Sequence, residues 1–135
     1  MNRFFIIALP LALAALPSMG TTLTFAGFPD STILTNQHPG VTFTNAIVLT
    51  AGISLNQFEF PPYTGTNVLS DKDGPITVSF ATPENSFGGY FTYGQRLIID
   101  AFNSADTLLA TTTSMFSNNE ALLGPRAVLR TNLTL

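Results

Sequence analysis

Two aromatic residues and one acidic residue in the second half of the chain have the chemistry of a sugar-binding surface. These residues are Tyr90, Asp100 and Phe102, and Tyr63 in the loop at residues 61–65 adds a further aromatic ring. Aromatic faces stack on pyranose rings, and a neighbouring carboxylate orients the sugar hydroxyls. The four residues therefore predict a ligand-binding site for carbohydrate. The alternative is that Tyr90 and Phe102 pack beneath a covering loop or strand, because aromatic residues also favour strands.

Three aspartates are weak candidates for calcium ligands. Asp71 and Asp73 precede Gly74 in an acidic turn, whereas an EF-hand would place its glycine three residues after the second acid. A tight turn in which aspartate bonds to its own backbone explains this run more simply. Asp30 is a third candidate on composition alone. We expect no cofactor and no metal site, with calcium at these three residues as the alternative.

The single histidine gives little support for catalysis. His38 lies in a run of turn composition, and the sequence has no Gly-x-Ser-x-Gly motif, so His38 is predicted to be a solvent-exposed loop residue. Glycoside hydrolysis needs two carboxylates at a defined separation, and the candidates are Glu59, Glu84, Glu120 and five aspartates. Nothing in the sequence fixes any two of them at such a separation. The sequence therefore predicts that the protein is not an enzyme.

The composition excludes further chemistry. The absence of cysteine excludes disulfides, thiolate metal sites and a cysteine nucleophile, and one histidine excludes a multi-histidine metal site. Five basic and eight acidic residues give a net charge of −3. The sequence therefore lacks the excess of basic residues that nucleic-acid binding requires.

The first 20 residues have the order of a secretory signal peptide. Arg3 gives a positive start, residues 4–16 are apolar, and Ser18 and Gly20 are the small residues of a cleavage site. The apolar run is too short to span a bilayer, so membrane contact is expected only through export. Cleavage after Gly20 removes one basic residue and leaves four basic against eight acidic residues, a net charge of −4.

The elements that must position the aromatic residues are short strands. Alternating apolar and polar residues between Gly, Pro, Asn and Asp turns favour antiparallel β-structure, and no helical periodicity is present. The predicted strands are residues 22–26, 41–43, 46–50, 67–70, 76–80, 86–93, 97–103 and 107–113.

The shared face of the candidate site depends on one predicted hairpin. A three-residue loop at 94–96 would pair strand 86–93 with strand 97–103, because the other register would place Asp100 in the apolar face. In this hairpin Tyr90, Asp100 and Phe102 lie on one side.

Six runs of the sequence have a distinctive composition: residues 34–45 (LTNQHPGVTFTN), 51–56 (AGISLN), 59–62 (EFPP), 74–80 (GPITVSF), 86–93 (SFGGYFTY) and 116–121 (FSNNEA). Together they resemble a family of bacterial exported β-sandwich domains found in proteins with PEP-CTERM sorting signals. The resemblance covers residues 28–122. It implies a jelly-roll-like sandwich, export, and attachment at the outer surface among exopolysaccharide, and it implies no particular activity.

The last residues depart from this family. Residues 123–135 match neither the family's C-terminal strands nor its sorting tail, and a shifted reading frame of residues 125–133 could encode the family's Gly-Ser-Ser-Pro-Asn-Glu turn. The expected organisation is a signal peptide at 1–20, a β-sandwich domain at 21–122 and an atypical tail at 123–135 from a frameshift or truncation. An all-β, antiparallel, jelly-roll-like sandwich that is incomplete at its C-terminus would expose an unpaired sheet edge.

Together these features predict a secreted protein at the outer surface of a bacterial cell. Its expected role is structural or adhesive, at the cell envelope or in the exopolysaccharide matrix, without enzymatic activity. A carbohydrate-binding module that uses the aromatic sheet face is the alternative, and a glycan hydrolase is the third hypothesis. The expected partner is cell-surface or matrix polysaccharide.

Overall fold

The computed structural model describes residues 20–121 and the backbone strand at residues 129–134. The predicted signal peptide falls almost wholly outside these residues. The described chain is all-β and its strand pairs are antiparallel. Within it there is no helix with the length and apolarity that a membrane crossing requires.

Nine strands make up the described residues. They are β1 (Ile33–Leu34), β2 (Val41–Thr44), β3 (Ala46–Thr50), β4 (Asn67–Asp71), β5 (Thr77–Phe80), β6 (Ser86–Phe91), β7 (Ile98–Phe102), β8 (Leu108–Thr113) and β9 (Leu129–Thr134). Strands β1, β3 and β4 form one sheet in the order β1-β3-β4, and the remaining strands pair as β2-β5, β6-β9 and β7-β8. Seven of the predicted strands are confirmed, with small shifts at their ends.

The core lies where the β1-β3-β4 sheet and the β2-β5 pair bring their apolar faces together. Its buried members are Leu34, Val41, Phe43, Ala46 and Val48. In β2, buried Val41 and Phe43 alternate with exposed threonines, which is the two-residue period of a strand with one dry face. The predicted inward face of the fifth strand, Ile76, Val78 and Phe80, packs against the same core.

The strand predicted at residues 22–26 is wrong. Hydrogen bonds from a side chain, rather than a ladder of backbone bonds, hold this segment against the core. Leu23 and Phe25 pack on the core. The Asn67 amide Nδ2 donates to the carbonyl oxygens of Phe25, at 3.0 Å, and Phe28, at 2.9 Å. A single β4 side chain therefore satisfies two carbonyls of a segment that has no strand partner.

The predicted hairpin of strands 86–93 and 97–103 is also wrong. β6 pairs with β9, with Phe87 opposite Leu133, and β7 pairs with β8, with Asp100 opposite Thr111. Residues 94–96 therefore carry the chain from one strand pair to another. The sequence favours the nearest partner along the chain, but pairing with a later strand is equally compatible with the same alternation.

Candidate functional site

Two tyrosines stack on one another at the protein surface. The ring centroids of Tyr63 and Tyr90 are 3.5 Å apart, and the ring planes differ by 10°. Tyr63 is 60% exposed and Tyr90 is 36% exposed. Aromatic surface therefore remains accessible to a ligand after the two rings have stacked.

An ordered loop presents Tyr63. The loop connects β3 to β4, and its ends are joined by a hydrogen bond of 2.8 Å from the Ala51 amide to the Thr66 carbonyl. Inside it, the Gly52 amide donates to Gln57 Oε1 at 2.9 Å, and the Phe60 amide donates to the Asn56 carbonyl at 2.9 Å. A loop that closes its own hydrogen bonds in this way holds its side chains in defined positions.

The segment at residues 119–121, called the clamp here, joins this loop to the end of β6. Asn119 is 3% exposed; its Nδ2 donates to the Phe91 carbonyl at 2.8 Å, and its Oδ1 accepts from the Tyr93 amide at 2.7 Å. Two residues further on, the Ala121 amide donates to the Glu59 carbonyl at 2.9 Å. The clamp therefore fixes the strand that carries Tyr90 relative to the loop that carries Tyr63.

The geometry of the stack indicates that the backbone holds it. Aromatic pairs prefer offset or edge-to-face arrangements over a direct face-to-face stack. The short centroid distance of the tyrosine pair is close to the disfavoured face-to-face arrangement. Since ring attraction alone would not choose this geometry, the loop and the clamp are the elements that impose it.

Asp100 and Phe102 lie on a different strand pair from Tyr90. Both are exposed residues of β7, which pairs with β8. The Asp100 carboxylate accepts a hydrogen bond of 2.8 Å from the Thr111 hydroxyl across that pair. The structure therefore brings Tyr63 to Tyr90, and the hairpin that was to place Asp100 and Phe102 beside them does not form.

Asp30 acts as a hydrogen-bond acceptor that ties three segments together. Its carboxylate accepts from the Thr50 amide at 2.7 Å, from the Ser31 hydroxyl at 2.9 Å and from the Ser54 hydroxyl. These bonds, led by the one from Ser54, hold the pKa of Asp30 below its ordinary value of 3.8. Three of the roughly four acceptor sites of this carboxylate are therefore engaged by protein donors.

The other two calcium candidates lie at the exposed turn after β4. Asp71 ends that strand, and Asp73 forms an ion pair with its neighbour Lys72. Across the residues whose side chains are described, no three His, Cys, Asp or Glu residues are grouped to hold a metal ion.

His38 lies in a loop, as predicted, but it is only partly exposed to solvent. Its ring lies among three phenylalanines, with centroid distances of 6.0 Å to Phe25, 5.6 Å to Phe28 and 5.9 Å to Phe43. His38 Nε2 is buried and has no hydrogen-bond partner. The ring also borders an open cleft of about 250 Å³, which is lined by the loop before β2 and by the adjoining ends of β2 and β5. The turn-like residues around His38 do not predict this packing, because the three phenylalanines come from separate parts of the sequence.

Asn119 and the backbone of Glu59 hold the loop against β6, a role that the sequence analysis did not predict for either residue. The sequence does mark both segments, because Glu59 lies in the run EFPP and Asn119 lies in the run FSNNEA. The hydrogen bond from Ala121 to Glu59 brings these two runs together. A buried asparagine with no regular secondary structure around it must satisfy both its donor and its acceptor, which suits it to joining two segments.

The described chain is thus an all-β protein that presents a stacked pair of aromatic rings. No protein-family model, no curated protein and no solved structure matches it. Its function is therefore inferred from the geometry of its own residues.

Proposed function

We propose that this protein is exported to the bacterial cell surface, where it attaches to matrix or cell-surface polysaccharide through the Tyr63–Tyr90 stack. Its role is adhesive or structural and involves no catalysis. In this proposal the antiparallel strand pairs belong to a jelly-roll-like β-sandwich, as the motif resemblance implies.

The exposed tyrosine stack is the observation that carries the proposal. Exposed aromatic surface is costly to leave in water and is a common feature of ligand sites. Sugar rings present C–H groups on one face and hydroxyls at their edges, so they suit a flat ring with polar surroundings. Tyr63 offers such a ring, with 60% of its surface exposed.

Export is supported by the sequence alone. The positive start, apolar run and small-residue stop of residues 1–20 are in the order of a signal peptide. The absence of cysteine means that the domain needs no oxidising machinery to fold after export. Polysaccharide is the abundant partner in the compartment that such a protein would reach.

Affinity electrophoresis tests the proposal directly. The secreted protein is run through native gels that contain cellulose, laminarin, dextran or mannan, and at least one polysaccharide is expected to retard it. Tyr63→Ala is expected to lose at least about tenfold in affinity, the size of effect that a central aromatic contact carries. Tyr63→Phe keeps the ring and is expected to retain most of the binding.

Two variants on β7 serve as controls. Phe102→Ala removes another exposed aromatic ring, and Asp100→Asn removes a charge that is engaged with Thr111. Both are expected to migrate like the wild type in every gel. The binding surface would lie elsewhere if Tyr63→Ala were retarded as strongly as the wild type. The same would follow if Phe102→Ala were no longer retarded.

A further inference from the structure

We infer that the surface binds an internal stretch of a polysaccharide chain, with Phe58 as a second stacking contact beside Tyr63. This inference rests on the proposed function and specifies the form of its ligand. It assigns a binding role to a phenylalanine that the sequence motifs leave unexplained.

Phe58 is one of the most exposed large apolar residues in the described chain. It is 70% exposed, and it lies on the same β3–β4 loop as Tyr63. The hydrophobic effect opposes leaving a phenylalanine in water, so a residue of this kind on an ordered loop indicates a contact surface.

Hydrogen bonds fix the backbone on both sides of Phe58. On the preceding side the Gln57 amide donates to the Leu55 carbonyl at 3.0 Å, and the Gln57 side chain accepts from the Gly52 amide. On the following side the Glu59 carbonyl accepts from the Ala121 amide, and Glu59 Oε2 accepts from the Asn56 side-chain Nδ2 at 2.8 Å. The exposure of Phe58 is therefore a property of an ordered backbone, and binding would cost little loop entropy.

The short path of the chain between the two residues limits how far apart they can lie. Phe58 and Tyr63 are five residues apart, so their Cα atoms are separated by at most about 17 Å, and the turn closed by the bond from the Phe60 amide to the Asn56 carbonyl shortens that path. One oligosaccharide of a few sugars can therefore reach both rings.

The openness of the surface indicates which part of a polysaccharide it accepts. A site that captures a chain end encloses it, whereas Phe58 and Tyr63 both retain most of their surface in contact with solvent. An open surface lets a long chain enter and leave on both sides. Internal sugars are therefore the expected ligand.

A length series of oligosaccharides tests the inference. Oligosaccharides of one to six sugars, prepared from cellulose, laminarin, dextran and mannan, are titrated into the secreted protein by calorimetry. In the series that binds, wild-type affinity is expected to rise with length over several sugars. Chemical reduction of the terminal sugar of the longest member is expected to leave affinity unchanged. Phe58→Ala is expected to weaken the longest member about tenfold and the shortest hardly at all.

The outcomes separate this inference from the proposed function. A series in which affinity does not depend on length, or in which Phe58→Ala binds like the wild type, overturns the inference. The proposed function survives that result if Tyr63→Ala still weakens binding. If no saccharide in the panel binds, the proposed function fails and the inference fails with it. Phe102→Ala is the matched control, since it removes an equally apolar exposed ring from β7.

Discussion

Single polar side chains add to the backbone hydrogen bonds, or take their place, at several junctions of this fold. The Asp30 carboxylate joins its own turn to the end of β3 and to Ser54 of the β3–β4 loop. Asn67 performs a similar role for the N-terminal segment through two carbonyls. Such residues look in the sequence like ordinary turn formers, because a pattern shows their type but not their partners.

Asp30 makes stability depend on acid. Its folded pKa is lowered, so its contribution is present above the unfolded value of 3.8 and is lost as the pH falls through the folded pKa. Asp30→Ala is therefore expected to melt at a lower temperature at neutral pH and to lose less stability on acidification than the wild type. Melting curves by circular dichroism between about pH 7 and pH 2 check this.

Asp73→Ala is the control for the acid experiment. Its carboxylate is exposed and its partner is the neighbouring Lys72, so its loss should change little. If Asp30→Ala and Asp73→Ala have the same melting curve at every pH, then the hydrogen bonds to Asp30 do not stabilise the fold.

His38 provides a second test at a single residue. A buried nitrogen without a hydrogen-bond partner costs about 1–3 kcal/mol, and a phenyl ring would remove that cost while keeping contact with the three phenylalanines. His38→Phe is expected to be at least as stable as the wild type in urea unfolding. His38→Ala is expected to lose roughly 2 kcal/mol through lost packing. An alanine variant as stable as the wild type would mean that the ring is exposed after all.

At the scale of elements, the clamp determines how the β3–β4 loop is placed against β6. Its bonds run from Asn119 to Phe91 and Tyr93, and from Ala121 to Glu59. Gly94 belongs to the same junction: a Cβ atom there would lie 2.5 Å from Glu120 Oε1, so the carboxylate would have to move. The clamp therefore connects the loop at Glu59 to the end of β6 at Phe91, about 30 residues further along the chain, to form one surface.

Asn119→Ala is expected to affect both folding and binding. It removes the partner of the part-buried Phe91 carbonyl and of the buried Tyr93 amide, which costs on the order of 2 kcal/mol. It also releases the loop from β6, so polysaccharide affinity is expected to fall even below the unfolding temperature. Gel retardation and urea unfolding of the same preparation measure the two effects.

Ser114→Ala is the matched control for the clamp. Ser114 is also buried, and its hydroxyl accepts from the Leu97 amide at 3.0 Å and donates to the Phe116 carbonyl at 2.8 Å, but it closes the β7-β8 pair. It should lose comparable stability and keep its affinity for polysaccharide. Equal loss of binding in both variants would show that general destabilisation, rather than the clamp, weakens the site.

At the scale of the molecule, one core joins two sheets. Leu34 of β1 and Val48 of β3 are the largest fully buried side chains in the described residues, and they face Val41 and Phe43 of β2. β1 has only two residues and was not predicted, because so short a segment shows no alternation. Its contribution to the core is the single buried side chain of Leu34.

Two adjacent residues of β1 test this arrangement. Leu34 is 1% exposed and Ile33 is 51% exposed. Leu34→Ala is expected to lower the free energy of unfolding by roughly 2–5 kcal/mol, and Ile33→Ala by less than about 1 kcal/mol. Urea unfolding followed by circular dichroism measures both values. Similar losses from the two variants would contradict the observed inward face of β1.

The sequence predicted the strands better than their partners. Alternation and turn residues located β2 to β8, because those signals are local. The pairings of β6 and β7 depend on contacts between distant segments, and the wrong hairpin placed Tyr90 beside Asp100. The residue type of Tyr63 and its position in a proline-rich loop predict a sugar contact. Only the folded chain shows that its ring stacks on Tyr90.

The fluorescence of the tyrosines tests the central proposal most directly. The protein has three tyrosines and no tryptophan, and two of the three form the stack, while Tyr93 is buried. Titration with the polysaccharide that retards the wild type is expected to change the emission saturably, and Tyr63→Ala is expected to show no such change. Binding without any change in emission, or an equal change in Tyr63→Ala, would contradict the account.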